Sequence, residues 1–77
     1  MHPTATRVLA AIEAHLTQHG YAPTVRELCA ATGITSTSVV AYHLAQLRAQ
    51  GLISFVDGLP RTIVRRGAAG EKRGRNG

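Results

Sequence analysis

Thr35-Ser36-Thr37-Ser38 places four hydroxyls in succession, followed by Val39 and then Tyr42. Hydroxyls suit hydrogen bonds to base edges or phosphate oxygens, and a β-branched methyl suits the methyl of thymine. Set at about 100° per residue on a helix, Thr35, Ser38, Val39, Tyr42 and Gln46 share one face. Ser36, Val40, Leu44 and Leu47 share the opposite, inward face. The first two turns of the outer face carry no charge, whereas a merely solvated helix is usually rich in Lys and Glu. Thr35 or Ser36 fits the N-cap, where free amides and the helix dipole attract a phosphate. The candidate contacts to double-stranded DNA are therefore Thr35, Ser36, Thr37, Ser38, Val39 and Tyr42, with Arg26 and Arg61 as cationic contacts beside them. No arginine or asparagine occupies these turns to read guanine or adenine bidentately, so moderate specificity is expected.

Other chemistry is sparse. His15 and His19 stand four apart and have no third ligand nearby, so they read as solvent-facing residues near a helix end, and no metal is expected. His43 flanks the inward stripe and is expected to pack on it, partly buried. Cys29, the single cysteine, reads as a small core residue. It excludes an internal disulfide and the multi-cysteine zinc patterns, and it suits a reducing cytoplasm. No nucleophile, general base or phosphate loop is arranged anywhere, so neither an enzyme nor a cofactor is expected.

The elements that would position the hydroxyl face follow from periodicity. Thr4 fits an N-cap for a first helix over residues 4–19, with Ala5, Val8, Leu9, Ile12 and Leu16 inward and Gly20 ending it. Thr24-Val25-Arg26-Glu27 is a capping box opening a short second helix over 24–32. Gly33 ends that helix, and a tight turn leads to a third helix running to Gln50, closed by Gly51. The period then switches to two: residues 52–56 and 61–65 read as strands, with Asp57-Gly58 as their turn and Pro60 tolerated at the start of the second. The fold class is mainly α with a small β-ribbon, a three-helix winged helix-turn-helix. Residues 1–66 form the domain. Residues 67–77, with four glycines and no apolar periodicity, read as a disordered basic tail.

Composition agrees with this plan. The chain has 77 residues, 44% of them hydrophobic, and a net charge of +5. That is one domain, with material for a three-helix core but not for a deep cleft. Residues 1–66 hold six arginines against Glu13, Glu27 and Asp57, and the tail holds Lys72, Arg73 and Arg75 against Glu71. Such a balance attracts phosphate backbones. Tyr21, Tyr42 and Phe55 are the only aromatic residues, too few for a surface that stacks splayed RNA bases. No apolar run approaches the roughly 20 residues of a membrane span, and no basic-then-apolar leader opens the chain, so a soluble, cytoplasmic protein without membrane contact is expected.

Residues 4–66 resemble the N-terminal winged-helix domain of LexA-type SOS repressors. The resemblance rests on Gly20-Tyr21-Ala22-Pro23-Thr24-Val25-Arg26-Glu27-Leu28, Gly33-Ile34-Thr35-Ser36, His43-Leu44-Ala45-Gln46-Leu47 and Gly51-Leu52-Ile53. It implies that the helix opening at the serine is the recognition helix, with contacts from Ser36, Ser38, Val39 and Tyr42. Ala41 and Tyr42 depart from the acidic or polar residues common at those positions, which bears on the operator sequence. The serine–lysine self-cleaving domain of that family has no counterpart in these residues, and SOS regulation is not carried over.

The expected function is a sequence-specific DNA-binding transcriptional repressor that lays helix three, residues 35–50, in the major groove. The competing reading is a winged helix that docks on another protein. Because helices one and two spend their apolar stripes on the core, the free domain is expected to be monomeric or weakly dimeric. Pairing would then be templated on DNA or supplied by a partner protein.

Overall fold

The computed structural model describes residues 2–66. Three helices, α1 (Pro3–His19), α2 (Val25–Thr32) and α3 (Thr37–Ala49), precede a ribbon of β1 (Ile53–Ser54) and β2 (Val64–Arg65). This is the three-helix winged helix-turn-helix expected from the sequence.

α1 begins earlier than periodicity suggests. Pro3 stands in the first turn, where its missing N–H costs nothing and its fixed φ favours the helix. The cap is therefore His2 rather than Thr4: its Nδ1 accepts the Thr4 N–H at 3.0 Å. Ala5, Val8 and Ile12 form the buried stripe.

The capping box that opens α2 is complete. The Glu27 N–H donates to Thr24 Oγ1 at 3.1 Å, and the Thr24 N–H donates to Glu27 Oε1 at 2.9 Å. α2 ends at Gly33, whose φ of 79° is a left-handed conformation that a side chain would strain. The chain then reverses so that the axis turns by 102° into α3, within the range of helix-turn-helix pairs. Two ties hold this corner. The buried Thr32 hydroxyl donates to the Leu28 carbonyl at 2.7 Å and accepts the Ile34 N–H at 3.3 Å. The Arg7 guanidinium reaches across from α1 to donate to the Thr32 carbonyl.

α3 closes the core. Val40, Leu44 and Leu47 pack with Val8, Ile12 and Leu28, and with Ile53 and Ile63 from the ribbon. Ser36 does not join them. It is exposed and caps the helix, its Oγ accepting the Val39 N–H at 3.3 Å.

The ribbon is shorter than the alternating pattern predicts. Only Ile53 pairs with Arg65 and Ser54 with Val64, antiparallel. The reason lies between them: Pro60 offers no N–H, and Arg61 has a φ of 60°, which breaks extended backbone. Side-chain bonds replace the ladder there. The Thr62 hydroxyl accepts the Val56 N–H at 2.9 Å and donates to the Leu59 carbonyl at 3.0 Å. Among the described residues, no single helix is long and apolar enough to cross a membrane. The expected tail, residues 67–77, lies outside the described residues.

Candidate nucleic-acid interface

α3 presents one face outward because its other face is consumed by the core. Val40 and Leu47 are fully buried, whereas their neighbours Val39 and Tyr42 are 41% and 61% exposed. Thr35, Ser36, Thr37, Ser38 and Gln46 are exposed as well. Thr35 lies in the turn before the helix rather than on it. These side chains form a protruding, uncharged surface of hydroxyls, one branched methyl pair and one phenol. Its polar groups, apart from the capping Ser36, make no side-chain hydrogen bond to a described residue.

Arg26 is exposed in the first turn of α2 and lines a groove with Ala41 and Ala45 of α3. No described residue pairs with its guanidinium, so its charge is available. The same holds for Arg66 at the end of the ribbon.

Arg61 is placed differently from the free wing arginine that the sequence suggests. Its guanidinium forms two hydrogen bonds with the Glu27 carboxylate, each 3.0 Å, and a third with the Ala22 carbonyl at 3.1 Å. It also lies 4.9 Å above the Tyr21 ring. A bidentate fork of this kind is the strongest arginine–carboxylate geometry. The Arg61 hydrogen bonds and the Thr24 amide hold the Glu27 carboxyl down from 4.5 to about 2. The same pair raises the Arg61 pKa above its ordinary value. Two more arginines are engaged around the wing: Arg48 of α3 with Asp57 and over the Phe55 ring, and Arg65 of β2 with Glu13 and the Leu52 carbonyl.

The histidines depart from the sequence reading in one case. His15 is not solvent-facing: its Nε2 is buried without a hydrogen-bond partner, 3.9 Å from Glu27 Oε1. Tyr21 folds back over the end of α1, its ring 5.4 Å from that of His15, and this covers the imidazole. His19 stays exposed, and no group of three metal-ligating side chains comes together among the described residues. His43 is buried against the α3 stripe, as expected. The capping role of Glu27 was readable from its spacing to Thr24. Its pairing with Arg61, 34 residues away, left no local signal.

Comparison with known proteins adds a family. The family model of the LexA DNA binding domain matches residues 3–62. A LexA repressor from Ligilactobacillus salivarius is 46% identical over 56 residues, covering 73% of this chain and 27% of the relative. One from Geotalea uraniireducens is 46% identical over 66 residues, covering 86% and 33%. One from Carboxydothermus hydrogenoformans is 33% identical over 57 residues, covering 74% and 28%. The matched stretch thus spans about a third or less of the length of these curated relatives.

Proposed function

Since the chain belongs to the LexA DNA-binding domain family, we propose that it is a sequence-specific DNA-binding transcriptional repressor that inserts α3 into the major groove. The observation that carries this reading is the outer face of α3, where Val39 and Tyr42 are exposed and the hydroxyls of Thr35, Thr37, Ser38 and Tyr42 make no hydrogen bond to a described residue. A surface helix gains nothing for its own stability from such a set. In a groove, the hydroxyls of Thr35, Thr37 and Ser38 meet base edges or phosphates, Val39 meets a thymine methyl, and Tyr42 offers a hydroxyl at longer reach. Ser36 orients the helix N-terminus toward a phosphate, and Arg26 supplies a cation along the flank of α3 near Ala41 and Ala45.

Arg61 acts indirectly. By holding Glu27 and the Ala22 carbonyl it fixes the wing against α2, so its loss weakens binding to all sequences alike rather than altering preference. One domain of this size buries roughly 600–1,000 Å² on DNA and reads a few base pairs. Two copies on adjacent half-sites, paired on the DNA or through a partner protein, supply the missing selectivity.

The test is duplex binding at two salt concentrations. Several neutralised phosphates imply at least a ~10-fold loss of affinity between about 50 and 200 mM salt. No binding to any duplex at low salt, or a flat salt response, contradicts the proposal. A flat response with tight binding to a protein would instead favour the docking-module reading.

A further inference from the structure

The direction in which α3 leaves the body of the domain is set at the corner before it. Of residues 33–40, Val40 is buried, Ile34 is half-buried against the core, and the rest are exposed. The turn is not clamped from outside, since a side chain placed on Gly33 would meet nothing within 4 Å. Hydrogen bonds hold it instead, and they converge on Thr32. Its hydroxyl joins the Leu28 carbonyl to the Ile34 N–H, and its carbonyl accepts from the Arg7 guanidinium.

Arg7 is used unlike the arginines around the wing. Arg48, Arg61 and Arg65 each meet a carboxylate, whereas Arg7 meets none among the described residues. Its partner is the carbonyl of the last residue of α2. Carbonyls at a helix C-terminus lack intrahelical partners and form the negative end of the dipole, so a cationic donor satisfies both needs. Beside this contact, α1 and α2 face each other across a groove lined by Ala10, Ala11, Ala14 and Ala31. Alanines do not interlock. Among the described residues, the Arg7 contact is the one hydrogen bond that joins α1 to α2.

We infer that Arg7 is a positioning residue for DNA recognition. By holding the Thr32 carbonyl to α1, it sets the angle at which α3 leaves the corner. Farther along, α3 is anchored by the buried Leu44 and Leu47. Slack at the corner is therefore felt at the first turns, where Thr37, Ser38 and Val39 stand exposed. Hydrogen bonds to base edges tolerate only about half an ångström of displacement. This inference rests on the DNA-binding reading of α3.

Two substitutions test it. Arg7→Met keeps an apolar stem and removes the bond, whereas Arg7→Lys keeps a cationic donor. The readouts are affinity for the motif that the wild type selects against its single-base variants, at several salt concentrations, and the amide NMR spectrum without DNA. In Arg7→Met, preference at the base pairs facing the first turns of α3 should fall about 5-fold, the lower end of what one base contact contributes. The amide signals of residues 34–39 should move, and the salt slope should stay. Arg7→Lys should recover most of the preference. An affinity lost equally for all sequences, with a salt slope reduced by about one, would make Arg7 a phosphate contact and overturn the positioning role. A lower melting temperature with the preference intact would overturn it as well, leaving Arg7 a prop for the fold alone. Both results leave the α3 reading standing. A wild type that selects no motif overturns that reading and this inference together.

Discussion

The outer face of α3 and the wing use polar side chains in opposite ways. On α3, Thr37, Ser38 and Tyr42 stand exposed and unspent. At the wing, Arg61 and Arg65, with Arg48 reaching in from the last turns of α3, carry full charges, yet each is committed to a carboxylate or carbonyl within the fold. The difference teaches that formal charge is a poor guide to where a small basic domain meets its partner. Arginines here fasten a short ribbon whose two-residue strands cannot hold themselves. The uncharged face has nothing internal to hold. Availability, more than charge, marks the surface for recognition.

The largest expected effect falls on the platform that both regions share. Leu47 is fully buried where α3 turns into the ribbon, and its carbonyl accepts the Leu52 N–H at 3.0 Å. Leu47→Ala should cost about 2–5 kcal/mol of folding stability through the lost contacts and the cavity left behind. Denaturant unfolding measures it, and a loss below about 1 kcal/mol would mean that the core under α3 is not tightly packed.

The next effect separates reading from folding. Tyr42→Ala and Ser38→Ala should leave stability within about 0.5 kcal/mol of the wild type, because both side chains are solvent-exposed. Each should change discrimination at an affected base pair by about 1–3 kcal/mol. Paired unfolding and binding measurements check both halves. A large stability loss without a change in preference would turn the reading face into a structural one.

A smaller change tests the helix opening. Ser36→Ala removes the oxygen that accepts the Val39 N–H and should cost about 1 kcal/mol of stability. Ser36→Asp should retain the cap yet weaken DNA binding, since it sets a negative charge where a phosphate is proposed to sit.

The subtlest effect is acid sensitivity in the wing. Glu27 is held at about 2 when folded, below its ordinary value of 4.5. A lowered carboxyl favours the folded state above the unfolded value, and that contribution fades as pH falls from about 4.5 toward 2. Glu27→Gln should therefore be less stable than the wild type near neutrality, with the gap narrowing through that window. Melting curves across the range would show it, and a constant gap would point to packing rather than the ion pair.

Much of this architecture was legible along the chain because its determinants are local. Thr24 and Glu27 sit three apart and announce α2, Gly33 announces the tight turn, and the spacing of Val40, Leu44 and Leu47 identifies the inward face of α3. What escaped was set by distant partners. The pairing of Arg61 with Glu27 arises only when the wing folds back on α2. The burial of His15 depends on Tyr21 closing over α1. The ribbon was overestimated because alternation from Leu52 to Val56 looks like a strand, while the left-handed Arg61 and the Thr62 hydroxyl bonds interrupt the ladder. His2 as the α1 cap was missed because an imidazole is an uncommon cap and Thr4 offered a familiar one.

The most direct test of the central claim is selection of bound sequences from a random duplex library at moderate salt, run in parallel on the wild type, Tyr42→Ala, Ser38→Ala and Arg61→Ala. If α3 reads the DNA and the wing arginine fastens the fold, the two α3 variants select altered motifs. Arg61→Ala then selects the wild-type motif with lower recovery. Identical motifs from the wild type and both α3 variants, or a motif rewritten by Arg61→Ala, would contradict the account.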